Sequence, residues 1–170
     1  MRIIFGAVAG LCATMAMTMA MRRLYPLLPP GERYPLPPAE ILASVCGSTN
    51  DRAHTSRTVL AHFLYGSLSG AIYPLVRNKL GGSGYGLAIW AASYLGWIPA
   101  AGILTPATKH RVSRNLLMLA AHVVWGTALA AGFRELEFSR NDIFTRGPAR
   151  DVPARQSLTG KWASDEAKLR

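Results

Sequence analysis

The apolar residues of this chain come in long unbroken runs instead of the narrow stripes of a soluble helix, and basic residues fence each run. Ile3–Met21 lies between Arg2 and the pair Arg22 and Arg23, and Thr58–Val76 lies between Arg57 and the pair Arg77 and Lys79. A third run extends from about Tyr85 to Leu104, and a fourth from about Asn115 to Phe133 behind Lys109, Arg111 and Arg114. At about 1.5 Å per residue, each is long enough to cross a bilayer as a helix. The pattern predicts an all-α polytopic membrane protein, a small bundle of four transmembrane helices with spans near residues 3–22, 57–77, 84–104 and 114–134. The first run exceeds the usual signal-peptide core and Thr18 spoils a small-residue cleavage pattern, so it is read as a retained helix. Four passes put the N-terminus, the turn after Lys79 and the C-terminal tail on one side. Basic residues divide almost evenly between the two sides and set no orientation.

The connections have their own signatures. Pro26, Pro29, Pro30, Pro35, Pro37 and Pro38 exclude regular helix from much of the segment after the first span. A short interfacial helix is predicted over residues 38–47, with proline in its first turn, Glu40 near its start and Gly47 as its stop. Ile41, Leu42 and Val45 share the side that would lie down in the interface, with Tyr25 and Tyr34 at headgroup level. Gly81-Gly82-Ser83-Gly84 is read as a flexible connection; it lacks the Lys-Ser/Thr ending of a phosphate-binding loop. The expected division is a membrane domain over residues 1–136 and a polar, largely mobile tail over 137–170, where no apolar period persists.

Inside the runs one phrase occurs twice: Leu60-Ala61-His62-Phe63-Leu64-Tyr65-Gly66 with Gly70 beyond it, and Ala120-Ala121-His122-Val123-Val124-Trp125-Gly126 with Ala130 beyond it. A histidine, a glycine and a second small residue follow at i, i+4 steps, which places all three on one helix face. Small residues in lipid mark where helix backbones meet, and an intramembrane histidine is expected to face protein. Gly6, Gly10, His62, Gly66, Gly70, His122, Gly126 and Ala130 are therefore the candidate packing seam, with Thr14 and Thr18 continuing the ridge of the first helix. The 60-residue offset between the copies predicts two parallel helical hairpins with the histidines at similar depth. In the third run, Ala88, Ala92, Leu95 and Pro99 are expected to face inward, Trp90, Tyr94 and Trp97 to face lipid or a partner, and Pro99 to kink the helix.

Composition adds exclusions. Half the residues are hydrophobic and only 16% are charged, so the net charge of +10 sits at segment ends and forms no patch for nucleic acid. The alternating Met15, Met17, Met19 and Met21 scatter around a helix and do not converge on a soft metal. Cys12 and Cys46 form no metal-spaced pair. No Gly-x-Ser-x-Gly elbow, paired intramembrane carboxylates or His-Glu-x-x-His spacing occurs, and neither a catalytic residue nor a metal site is assigned. The four histidines, His54, His62, His110 and His122, belong to one side of the membrane or to the segments entering from it. Three readings stay open at this point. One is a structural, assembly or stress-related membrane partner. Another is a small transporter or pore built from two hairpins. The third is a b-type haem protein with His62 and His122 as axial ligands, Gly66 and Gly126 admitting the porphyrin, and Arg57 and Arg114 near its propionates. The bilayer is the expected partner, with a second copy or another membrane protein beside it.

The run from Trp90 through Trp97 to Pro99, followed by Pro106-Ala-Thr-Lys-His110, Asn115-Leu-Leu-Met118 and the second histidine phrase, resembles small bacterial inner-membrane proteins of unknown function, the YagU-like group. The resemblance spans the four runs and the proline-rich connection, and excludes the tail. It implies a multi-pass protein of the bacterial inner membrane with a loose link to acid tolerance, and it carries no catalytic residue across.

Overall fold

A computed structural model describes residues 1–33, 37–46 and 52–143, and the regular structure among them is entirely helical. Helix α1 spans Arg2–Leu24, α2 Pro37–Cys46 and α3 Arg52–Val76. After a short turn, α4 spans Gly82–Ala91 and passes through a wide π turn, Ala92–Trp97, into the single turn α5, Ile98–Ala100; α6 spans Val112–Asn141. Three segments are long and apolar enough to cross a membrane: Arg2–Leu27, Thr55–Val76 and Val112–Asn141. Their outward faces match that role, since Leu60, Leu64, Leu68 and Leu75 of α3 are each more than half exposed.

The fourth expected span, residues 84–104, is helical but not one regular helix. Helix begins at Gly82, inside the stretch read as a flexible connection, and its ladder breaks at Gly96, with φ −108° and ψ −106°. Pro99 has no N–H to offer the carbonyl four residues back, and the chain takes up the fault upstream as a π turn, where the Ile98 N–H reaches the Ser93 carbonyl. Helix α6 continues without interruption past residue 136, through Asn141. Residues 144–170 of the expected tail, together with Tyr34 and Gly47, lie outside the described residues.

Helix α1 is the spine. It packs along both α3 and α6, and α4 packs along α6, whereas α3 and α4 are not packed along one another. Backbone proximity explains the α1–α3 and α4–α6 contacts. Gly10 lies so close to α3 that an added Cβ would stand 2.5 Å from the Gly66 carbonyl oxygen and 2.9 Å from the Gly70 Cα. On the other pair, a Cβ on Gly82 would stand 2.5 Å from the Ala130 Cβ and one on Gly86 3.2 Å from the Gly126 Cα. In lipid, where apolar burial between helices supplies little drive, such approach is what lets dispersion and interhelical hydrogen bonds hold a bundle. Between the pairs, an aromatic cluster fills the centre: the Tyr73 ring lies 5.3 Å from Tyr85 and 5.8 Å from Phe133, and Tyr85 lies 5.9 Å from Trp125.

Charges close both ends. At one, Glu137 of α6 pairs with Arg2 of α1 at 3.2 Å and with Arg77 beyond α3, and the Arg77 guanidinium also covers the Phe133 ring. At the other, Glu32 binds Ser113 and lies 3.7 Å from Arg111, while Glu40 of α2 meets Arg114 of α6 at 3.0 Å. Arg114 is 1% exposed and Glu40 20%, so α2 is clipped to the bundle by an ion pair whose cationic half is buried.

Candidate functional site

Because α3 and α4 each lean on the α1–α6 pair without packing on each other, a cavity of about 280 Å³ opens between them. Thr14 and Met17 of α1 and Met118 and Trp125 of α6 form its back wall. His62, Tyr65 and Ser69 come from α3 and Ile89 from α4; Ser93, Tyr94 and Trp97 come from the π turn. Pro37, Pro38 and Ile41 bring α2 across one end. Tyr65 of α3 and Trp97 of the π turn, both part-exposed, border the cavity with ring centroids 6.3 Å apart.

Both histidines of the repeated phrase border this cavity. On α6, the His122 Nδ1 bonds to the Met118 carbonyl oxygen at 2.8 Å, one turn back, which leaves Nε2 as the other working edge of the ring. His62 Nε2 is buried with no hydrogen-bond partner among the described residues. The hydroxyl network of the wall is otherwise tied to itself. Thr14 Oγ donates to the Gly10 carbonyl at 2.8 Å and accepts from Trp125 Nε1 at 3.1 Å. Ser93 Oγ donates to the Ile89 carbonyl at 2.7 Å and lies 2.7 Å from the Tyr65 hydroxyl, and Tyr85 donates to the Ser69 carbonyl at 2.6 Å. The two tyrosine bonds are what ties α3 to α4 across the gap.

The proposed seam residues divide into two kinds. Gly6 and Gly10 meet Gly70 and Gly66 on the α1–α3 face; Gly126 and Ala130 meet Gly82 and Gly86 on the α4–α6 face. The registers match, since Gly10 faces positions 66 and 70 and Gly82 faces positions 126 and 130. The imidazoles do not lie in these seams: it is the backbone oxygen of His122 that Gly86 approaches, while the rings turn to the cavity. His110 is not in the lining; it is half-buried, 3.1 Å from the Thr105 carbonyl oxygen, with its ring 5.7 Å from that of Tyr94, and the His54 side chain lies outside the described residues. Among the described residues, no three metal-type side chains converge.

The face expected of the third run is overturned. Ala88, Ala92 and Leu95, expected inward, are exposed, whereas Tyr94 is 4% exposed and Trp90 packs against the core. Gly82 and Gly86 set the orientation, and Ala88, two residues on, stands about 200° further round the helix. Gly82, Gly86, Ser69 and Ser93 were the residues missed. Their i, i+4 pairs, Gly82 with Gly86 and Ile89 with Ser93, were the available signal. For the haem ligation, Arg114 is committed to Glu40, and Gly126 is covered by α4 with no face left for a porphyrin. No protein-family model, curated protein or solved structure matches the chain.

Proposed function

We propose that the chain is a four-pass protein of the bacterial inner membrane, built as two parallel hairpins, that takes a small neutral molecule from the bilayer into the cavity between α3 and α4. The observation that carries this reading is the convergence of His62 and His122, from separate helices, on one space bordered by the part-exposed Tyr65 and Trp97. A bundle held only for its own packing has no use for that void. Closing it would gain the dispersion contacts that an empty space forfeits, and the glycine seams already hold the helices without the imidazoles. The matching registers of the α1–α3 and α4–α6 seams support the two-hairpin arrangement. A volume of about 280 Å³, just under the range of about 300–1,000 Å³ usual for ligand pockets, suits a ring-sized molecule and is small for a porphyrin. Binding of this kind is the first step of the carrier reading. It replaces the purely structural role as the function the geometry favours.

The test is extraction. Protein purified within polymer-encased native membrane discs should yield, above the lipid background, a near-equimolar small neutral compound that is absent from an Ile89→Trp variant whose indole occupies the cavity. Identical extracts from the two proteins would overturn the reading. An absorption spectrum of the same sample shows a Soret band if haem is the occupant.

A further inference from the structure

The hydrogens and lone pairs of the cavity wall define the chemistry of what it takes, on the reading that the cavity is a ligand site. The Met118 carbonyl can only accept, so the His122 Nδ1 at 2.8 Å carries the proton. No carboxylate stands among the described lining residues to balance an imidazolium, and burying an unpaired charge is costly, so the ring is neutral and Nε2 is a lone-pair acceptor. Three donors on the wall are already spent. Thr14 gives its hydrogen to Gly10, Trp125 gives its own to Thr14, and Ser93 gives its own to Ile89. With the Ser93 hydrogen committed, the 2.7 Å contact with Tyr65 must have the tyrosine as donor. What these groups leave facing the space is lone pairs. Ser69, on the wall, and His62, whose Nε2 has no partner among the described residues, are among the lining groups able to return a hydrogen bond, beside the Tyr94 and Trp97 rings.

We propose that the cavity selects neutral, membrane-soluble molecules that donate a hydrogen bond, phenols and alcohols with an apolar body, and that the donated hydrogen goes to Nε2 of His122. A hydroxyl donates there and keeps a lone pair for Ser69 or His62. A ketone or ether of the same shape leaves the acceptor unmet, and a buried acceptor without a partner is costly. Ammonium and carboxylate groups are rejected, because no carboxylate and no lysine or arginine stands among the described lining residues.

The test compares thymol with its methyl ether, which share one ring and differ by the donor. The full chain in lipid nanodiscs is titrated with each, and quenching of tryptophan fluorescence is read against empty nanodiscs; Trp97 and Trp125 both border the space. After correction for partition into lipid, thymol should bind about tenfold more tightly than the ether, the ratio expected of a lost bond near 1.4 kcal/mol. In His122→Phe, which keeps the ring and removes the acceptor, the ratio should fall to about one; in His122→Gln, whose amide oxygen can accept, a preference should remain. The ratio in the unaltered protein decides the matter even if a variant does not fold. Equal binding of the two compounds would overturn donor selection and leave the cavity as a ligand site. If neither compound binds saturably, the ligand-site reading falls and donor selection with it.

Discussion

Gly84 and Gly86 stand two residues apart on α4 and meet opposite surroundings. A Cβ on Gly84 would touch nothing within 4 Å, while one on Gly86 would run into the His122 carbonyl group and the Gly126 Cα. Gly84→Ala should be neutral or stabilise by up to about 1 kcal/mol, since alanine lowers the entropy lost in forming helix. Gly86→Ala should destabilise by about 1–3 kcal/mol, because the obstruction is backbone and the helices must part. Thermal unfolding followed by circular dichroism in detergent separates the two. Thr14 makes the second residue-level test. It accepts from Trp125 and donates to Gly10 while 1% exposed, and its hydroxyl fills the space a side chain on Gly66 would need. Thr14→Val keeps the shape and strands the indole N–H, so a loss of about 1–3 kcal/mol is expected by the same measurement. At this scale the sequence was informative up to a point. The i, i+4 spacing located the close approaches of Gly66, Gly70 and Gly126, yet spacing alone does not separate a backbone contact from the direction of a ring. The imidazoles therefore went to the cavity while their own glycines went to the seams.

Among the elements, α1 and α3 were legible because their apolar runs are uniform and end in charge, and a helix of that length has few alternatives in lipid. The α4–α5 segment was not. Its alanines and aromatics form two contrasting faces, and the contrast points the wrong way. Tyr85 and Tyr94 turn inward because each has interior neighbours, Ser69, Tyr73 and Trp125 for the first and Trp90 for the second. Helix α2 was predicted within a residue of its observed start, but its role differs from that of an interfacial float. Val45 is exposed, Ile41 lies against the Tyr94 and Ile98 cluster, and Glu40 reaches the buried Arg114. No sequence pattern links Glu40 to a residue so far along the chain. Removing one partner of a buried pair leaves the other charge uncompensated and costs about 3–5 kcal/mol, whereas replacing both by apolar groups costs far less. Glu40→Gln should therefore lower stability by about 3 kcal/mol, the low end because Glu40 is itself 20% exposed. The double variant Glu40→Leu, Arg114→Met should recover most of the loss in a denaturation series in mixed micelles. A double variant no better than the single one would show that the pair is not what holds α2.

At the scale of the whole molecule the question is how many times the chain crosses. Among the described residues, three segments have the length and hydropathy of a span taken singly, which alone would put the N-terminus and the end of α6 on opposite sides. The ion pairs argue otherwise. Arg2 at the start of α1, Arg77 just past α3 and Glu137 near the end of α6 meet in one cluster, so these three points share one end of the bundle. Gly82 starts α4 beside Gly126 and Ala130, on the half of α6 that leads to Glu137, while Ile98 and Tyr94 pack with Ala107 just ahead of α6. These placements fit the proposed fourth pass, in which the chain changes ends between Gly82 and Ala107. Gly82–Ala100 would cover about 28 Å at helical rise, close to the thickness of a hydrocarbon core of about 30 Å. On the four-pass reading proposed above, the π turn interrupts the helix without ending the crossing: the Ile98 N–H still reaches the Ser93 carbonyl, and Ser93 and Tyr94 are buried against protein. Reporter fusions joined after Lys79 and after Arg140 should accordingly show the same sidedness. Opposite sidedness would mean that the α4–α5 segment does not cross, and would remove the four-pass bundle that encloses the cavity.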